Sequence, residues 1–129
     1  MGKPPSILVV DDDPEMRELL LDVLGNEGYE VAEAKDGTEA VLALRAREFD
    51  IILMDKNMPG PSGLDLLPGF RRVCPRSQII MMTAFGDVPS YMDAVEKGAV
   101  EYLFKPFQME ELKAAIVKAL ASKAGRGPG

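Results

Sequence analysis

The chain is 129 residues long, 47% apolar and 28% charged, with a formal net charge of −6. This length and balance bound it to one compact globular domain with room for a buried core, and exclude a disordered or fibrous chain. The acidic surplus argues against direct binding to a nucleic acid backbone, and the absence of any span-length apolar run or signal-peptide organisation points to a cytoplasmic chain that does not engage a membrane.

Five short apolar runs rich in β-branched residues recur along the chain, at residues 7–10, 29–32, 50–54, 78–82 and 100–104. Most are unbroken rather than alternating, as expected of strands covered on both faces. Helical patterns lie between them. The first carries the stripe Met16, Leu19, Leu20, Val23, Leu24, with Asp13 as its N-cap, Pro14 at the first helical position, and Gly25 and Gly28 as stops. The second opens on Asp36-Gly37-Thr38-Glu39, a capping box with a carboxylate in place of the hydroxyl. The third follows Gly63 through Leu64, Leu67 and Phe70, and a fourth is expected from about Val88 to Lys97, ending at Gly98. The fifth follows Phe107 through Leu112, Ile116 and Leu120, with Ala115 and Ala119 filling in. After Ala121 the pattern is lost, so residues 1–121 read as the domain and 122–129 as a flexible tail or linker.

Strand and helix alternating five times imply a parallel sheet with helices on both faces, because crossovers are right-handed. The expected fold is α/β and doubly wound, a five-stranded parallel sheet flanked by five helices. Ligands in such folds sit beyond the carboxyl ends of the strands, and four of the five ends carry chemistry. The first runs into Asp11-Asp12-Asp13, the third into Asp55, the fourth into Thr83 and the fifth into Lys105-Pro106; the second ends without an obvious chemical group.

Composition narrows what these groups do. The chain has no histidine, which removes Ser-His and Cys-His pairs, histidine-bound zinc and phosphohistidine. Its single cysteine, Cys74, excludes an internal disulfide and suits a reducing compartment. Asp11, Asp12 and Asp55 converge if the first and third strands are neighbours, and three carboxylates together call for a proton or a cation. Mg²⁺, with Mn²⁺ as a substitute, is the hard ion such oxygens suit. Asp13 is left as a helix cap. A strand-end carboxylate such as Asp55 can attack phosphorus to give an acyl phosphate, with Lys105 as a point charge and Thr83 as a hydroxyl donor for the phosphoryl oxygens.

Val9-Val10-Asp11-Asp12-Asp13, Leu53-Met54-Asp55-Lys56-Asn57-Met58-Pro59-Gly60, Met82-Thr83-Ala84 and Lys105-Pro106-Phe107 together resemble the receiver domain of two-component response regulators, over residues 6 to about 121. The resemblance implies that Asp55 is the phosphoacceptor, supplied from a phosphohistidine of a sensor histidine kinase or phosphotransfer protein. It implies Asp12 as a direct Mg²⁺ ligand, Asp11 as a ligand through water, the backbone carbonyl of Asn57 as a further ligand, and Lys105 as the phosphate contact. It also implies Thr83 and Tyr102 as a coupled switch, with Thr83 moving toward the phosphoryl group and Tyr102 rotating into the vacated space. A flavodoxin-like sheet in the strand order 2-1-3-4-5 and a cis peptide before Pro106 belong to the same pattern. The output implied is partner binding or a phosphorylation-dependent homodimer through helix four, strand five and helix five, with Met92, Tyr102, Phe104 and Met109 near that face. Such a chain is a self-phosphorylating acceptor with slow autodephosphorylation, not a turnover enzyme. The stretch from Met82 to Val88 with Gly98-Ala99 and Tyr102-Leu103 is similar to NtrC-type receivers, which precede ATPase modules that activate transcription. Pro61-Ser62 and Phe85 depart from the family's common pattern, which bears on loop stiffness and phosphoryl lifetime.

Two rival readings have distinct signatures. An aspartate-nucleophile phosphatase would use Asp11 and Asp13, but Pro14-Glu15 follows and no cap domain fits in this length. A degenerate receiver acting only as a binding module would lack one of the acids or the lysine, and all are present.

Overall fold

The computed structural model describes residues 3–58, 63–84 and 99–126. The expected fourth helix over 88–97 with Gly98, the loop residues 59–62, Phe85, Met92 and the last three residues lie outside the described residues. The described strands are β1 (Ser6–Val10), β2 (Glu30–Ala34), β3 (Ile51–Asp55), β4 (Gln78–Ala84) and β5 (Ala99–Lys105). They form one parallel sheet, as the alternation of elements predicts, in the expected order β2-β1-β3-β4-β5. Four helices are described: α1 (Pro14–Asn26), α2 (Gly37–Ala46), α3 (Gly63–Val73) and a C-terminal helix (Met109–Arg126).

The helix ends follow from local chemistry. Asp13 caps α1 by accepting from the Glu15 backbone N–H, with Pro14 at the first turn. Of the two expected stops, Gly25 stays inside α1 and Gly28 ends it. Gly28 adopts φ of 94°, its N–H donates to Gly25 carbonyl oxygen, and the Tyr29 N–H donates to that of Leu24. This is a Schellman closure, and it needs the left-handed conformation one residue past the cap. A Cβ at Gly28 would meet no atom within 4 Å, so the cost of replacing it is backbone strain alone. Gly28→Ala is expected to lower stability by about 1–2 kcal/mol, seen as a lower urea midpoint with an unchanged slope. In α2, Asp36 accepts from the Glu39 N–H while Glu39 returns a carboxylate to the Lys35 N–H, a capping box displaced by one residue at its second bond. The C-terminal helix runs through Arg126, past Ala121 where the apolar pattern stops; residues 122–126 are helical, where a loose tail is expected from the lost pattern. Ser122, Lys123 and Ala124 do not break a helix, and Gly125 costs only about 1 kcal/mol relative to Ala, so the backbone continues beyond the packed face.

β1 and β3 are buried throughout, which explains their unbroken apolar runs. Alternation divides the sheet into two cores. Leu8, Val10, Ile52, Met54, Ile79 and Met81 face one side and pack with Leu67 and Phe70 of α3 and Ala40 and Leu44 of α2. Ile7, Val9, Ile51, Leu53, Ile80 and Met82 face the other and pack with Leu20 and Leu24 of α1 and with Leu112 and Ile116 of the C-terminal helix. Leu19, at the edge of the expected α1 stripe, is exposed rather than buried. No helix among the described residues is long and apolar enough to cross a membrane.

Candidate functional site

The period of two along a strand decides what meets at the upper edge of the sheet. Asp11 continues the face of Ile7 and Val9, Asp55 that of Ile51 and Leu53, and Lys105 that of Leu103, all toward α1 and the C-terminal helix. Thr83 continues Ile79 and Met81 toward the opposite face, the one that also holds Tyr102. Because β1 and β3 are adjacent, with Val10 beside Met54, the two chains of acids arrive side by side.

One oxygen from each of Asp11, Asp12 and Asp55 falls within 4.8 Å of the others. Asp11 is fully buried and Asp55 is 5% exposed, while Asp12 is open to solvent. The Lys105 ammonium lies between the two buried carboxylates, 3.3 Å from Asp11 Oδ2 and 3.6 Å from Asp55 Oδ2. It is presented by the last residue of β5, just before a cis Lys105–Pro106 peptide. Asp55 Oδ1 accepts from the Asn57 backbone N–H at 3.0 Å, closing an Asx turn that starts the loop. The Lys56 N–H reaches the Met82 carbonyl at 2.8 Å and extends the ladder past β3, so Asp55 is held on both sides. Thr83 is fully buried, and Asn57 Nδ2 lies 3.5 Å from its hydroxyl oxygen.

Burial is the main cause that lifts the Asp55 carboxyl above the ordinary carboxylate range. The Asn57 N–H and the Lys105 ammonium oppose that rise, and the charges of Asp11 and Asp12 add to it. The site therefore holds more negative charge than one lysine offsets. Its donors are all oxygen: three carboxylates, with the Asn57 carbonyl in the same turn. That set suits a hard divalent ion such as Mg²⁺ and not a thiolate- or imidazole-seeking metal.

The expected site residues Asp11, Asp12, Asp55, Asn57, Thr83 and Lys105 thus share one edge. Tyr102 lies deeper, 6% exposed and with its ring centroid 5.2 Å from that of Phe104. Two neighbours of the site escape a reading by strand ends. Arg17, in the first turns of α1, donates from Nη1 to the Asp11 carbonyl at 2.7 Å and from Nε to Glu33 at 2.9 Å. Glu33 belongs to β2, which runs two residues beyond the expected 29–32, so that strand does carry a charged group to this edge. The one signal in sequence is an arginine six residues after Asp11, about one helical turn behind the cap. Two cavities of about 490 and 560 Å³ lie elsewhere, between α2 and Leu66 of α3 and at the opposite pole around Phe49 and Cys74. Among the described residues the acid edge is open to solvent at Asp12.

Comparison with known proteins agrees with this edge. The family model for the response regulator receiver domain matches residues 7–117. The chain is 37% identical over 119 residues to the chemotaxis protein CheY of Thermotoga maritima, covering 92% of this chain and 98% of that one. It is 37% identical over 115 residues to the transcriptional regulatory protein ZraR of Escherichia coli O157:H7, covering 89% of this chain but only 26% of that regulator. The crystal structure of a CheY-like receiver domain protein from Methanospirillum hungatei superposes with a TM-score of 0.91 at 27% identity, over 96% of this chain and 99% of that one. The chain belongs to the response regulator receiver domain family, and it is a phosphoacceptor of two-component signalling.

Proposed function

We infer that Asp55 is the phosphoacceptor and that the edge around it carries out Mg²⁺-dependent transfer from a phosphohistidine of a sensor kinase or phosphotransfer protein. The observation that carries this reading is the meeting of three carboxylates within 4.8 Å, with Lys105 between two of them, at the end of the central strand. A carboxylate oxygen of Asp55 forms the new bond to phosphorus as the bond from phosphorus to the donor's imidazole nitrogen breaks, and the electron pair leaves with the imidazole. The Asn57 N–H keeps the second carboxylate oxygen turned away from the attack. Lys105 shifts from its two carboxylates to the phosphoryl oxygens as negative charge moves there. Asp11, Asp12, Asp55 and the Asn57 carbonyl would hold Mg²⁺ or Mn²⁺, which when bound supplies charge neutralisation at the phosphoryl oxygens.

Thr83 then donates its hydroxyl to a phosphoryl oxygen. Thr83 and Tyr102 lie on the same face of the sheet, one strand apart, and this supports their coupling. The Tyr102 ring is buried in the structure, so the coupling is between this position and a more exposed one. The surface that responds includes β5 and the C-terminal helix, where Met109 begins the helix, and its output is partner binding or a homodimer. The resulting unit is a stoichiometric acceptor with slow self-dephosphorylation, cytoplasmic and without nucleic acid contacts of its own. It spans residues 6 to about 121 and is of the NtrC type.

Incubation with acetyl phosphate, with Mg²⁺ or with a chelator, followed by intact mass and peptide mapping, tests this. One hydroxylamine-labile phosphoryl adduct is expected on the peptide containing Asp55, and none with chelator. An adduct mapped elsewhere, or none with Mg²⁺, overturns the assignment. Thr83→Ala is expected to accept the phosphoryl group to a near-native extent while its phosphorylation-dependent gain in dimer or partner affinity falls by about fivefold or more. Gel filtration or titration of labelled and unlabelled protein reads that difference, and an unchanged gain would refute the coupling.

A further inference from the structure

We propose that Arg17, held by Glu33, is a positioning residue for the cation: it fixes the Asp11–Asp12 peptide and thereby places the Asp12 carboxylate. The proposal rests on the reading of the acid edge as a cation site. Every other polar group of Asp11 already has a partner. Its N–H donates to the Ala34 carbonyl at 3.1 Å, its Oδ1 accepts from the Asp13 N–H at 2.9 Å, and its Oδ2 faces Lys105. Its carbonyl is left to Arg17, at 2.7 Å. A peptide group is planar, so the orientation of the Asp11 carbonyl also sets the direction in which the chain leaves toward Asp12.

Asp12 differs from its two companions. It is exposed, and among the described residues its carboxylate makes no hydrogen bond or ion pair. No side-chain partner holds it within 4.8 Å of Asp11 and Asp55, so the backbone sets which rotamers can reach that place. Arg17 is suited to hold that backbone. Its side chain is 16% exposed, its guanidinium is planar, and Nε and Nη1 engage two partners at once. The Glu33 side chain is about half exposed, so the ion pair adds little stability by itself. Its effect is to aim the fork at Asp11.

Simple electrostatics and positioning predict opposite signs. Arg17 is a positive charge bonded to a member of the acid cluster, so its loss should tighten cation binding if charge alone matters. If Arg17 positions Asp12, its loss should weaken binding. The test is Mn²⁺ titration followed by the paramagnetic resonance of the free ion, on the native chain, Arg17→Met, Arg17→Lys and Glu33→Gln. Urea unfolding without cation gives the folded fraction of each. Arg17→Met is expected to raise the Mn²⁺ dissociation constant about tenfold or more. Arg17→Lys should restore part of the loss, since one ammonium can reach the carbonyl without the second anchor, and Glu33→Gln should fall between native and Arg17→Met. At saturating Mn²⁺, labelling of Arg17→Met by acetyl phosphate should return close to the native level. Equal or tighter Mn²⁺ binding by Arg17→Met, or a loss that only tracks its unfolded fraction, overturns the proposal. Should Arg17→Met not fold, Arg17→Lys and Glu33→Gln decide, and native affinity in both overturns it. A native chain that binds no Mn²⁺ overturns the cation-site reading itself, and is told apart because it appears without any substitution.

Discussion

Asp55→Asn is expected to remove the phosphoryl adduct completely and, without divalent cation, to make the folded chain more stable at neutral pH. The two effects share one cause. Asp55 is nearly buried beside two further acids, and its folded-state pKa lies above its unfolded one, chiefly through burial. A raised carboxyl disfavours the charged form in the folded state. Its penalty is absent below the unfolded carboxylate range, grows as pH rises from there through the folded pKa, and is complete above it. Asparagine keeps the shape and one oxygen for the Asn57 N–H but carries no charge. The variant should gain about 0.5–2 kcal/mol at pH 7, as is common when a charge conflict is relieved, and the gain should vanish toward low pH. Cation reverses the ranking. A ligand that binds only the folded state at a hundred times its dissociation constant contributes about 2.7 kcal/mol, and the native chain should receive most of that while Asp55→Asn receives little. Urea melts between pH 4 and 8, with and without Mg²⁺, alongside intact mass after acetyl phosphate, measure all of this. An adduct on Asp55→Asn would dismiss Asp55 as acceptor. A variant less stable than native at pH 7 without cation would show that the acids are not in conflict.

Lys105→Ala is expected to shift stability the other way. Its ammonium contacts two buried carboxylates at 3.3 and 3.6 Å, and its own side chain is only about a quarter exposed. Removing one partner of a buried pair leaves uncompensated charge, with losses of about 3–5 kcal/mol in dry interiors. The acid edge is open to solvent at Asp12, so a loss of about 1–3 kcal/mol is expected at neutral pH without cation. The loss should shrink as acid protonates the carboxylates. Mg²⁺ should then stabilise Lys105→Ala by more than it stabilises the native chain, because the ion no longer competes with the ammonium for the same oxygens. Thermal melts across a Mg²⁺ titration give both quantities, and equal Mg²⁺ responses would mean that lysine and cation do not share those oxygens. Asp55→Asn and Lys105→Ala thus form a pair of opposite sign from one electrostatic arrangement.

The strands were legible because a doubly covered parallel strand must be apolar on both faces, and residues 7–10 and 51–54 have that character. The site was legible for a related reason. A polar group directly after such a run has nowhere to lie but the sheet edge, so Asp11, Asp55, Thr83 and Lys105 stand out against the strands that deliver them. Helix ends were harder. Gly25 and Gly28 look alike as letters, and only the hydrogen bonds from Gly28 and Tyr29 back to Gly25 and Leu24 tell which ends α1. The C-terminal helix outlasts its apolar stripe because the stripe reports packing, while the backbone continues wherever nothing breaks it.

Sequence by itself determined which residues form strands and which polar groups terminate them, because burial on two faces and the two-residue period are local demands on composition. Tertiary structure alone decided what those groups do to one another. The adjacency of β1 and β3 brings Asp11 and Asp55 together across 44 residues of chain, and β5 returns Lys105 from 94 residues beyond Asp11 to lie between them. Arg17 and Glu33 show the same limit from the other side. Each is an ordinary charged residue on an ordinary element, and only the packing of α1 against β2 puts a guanidinium on the carbonyl of Asp11. Distances between charges, and so their energies, depend on strand order and register, which no local pattern encodes.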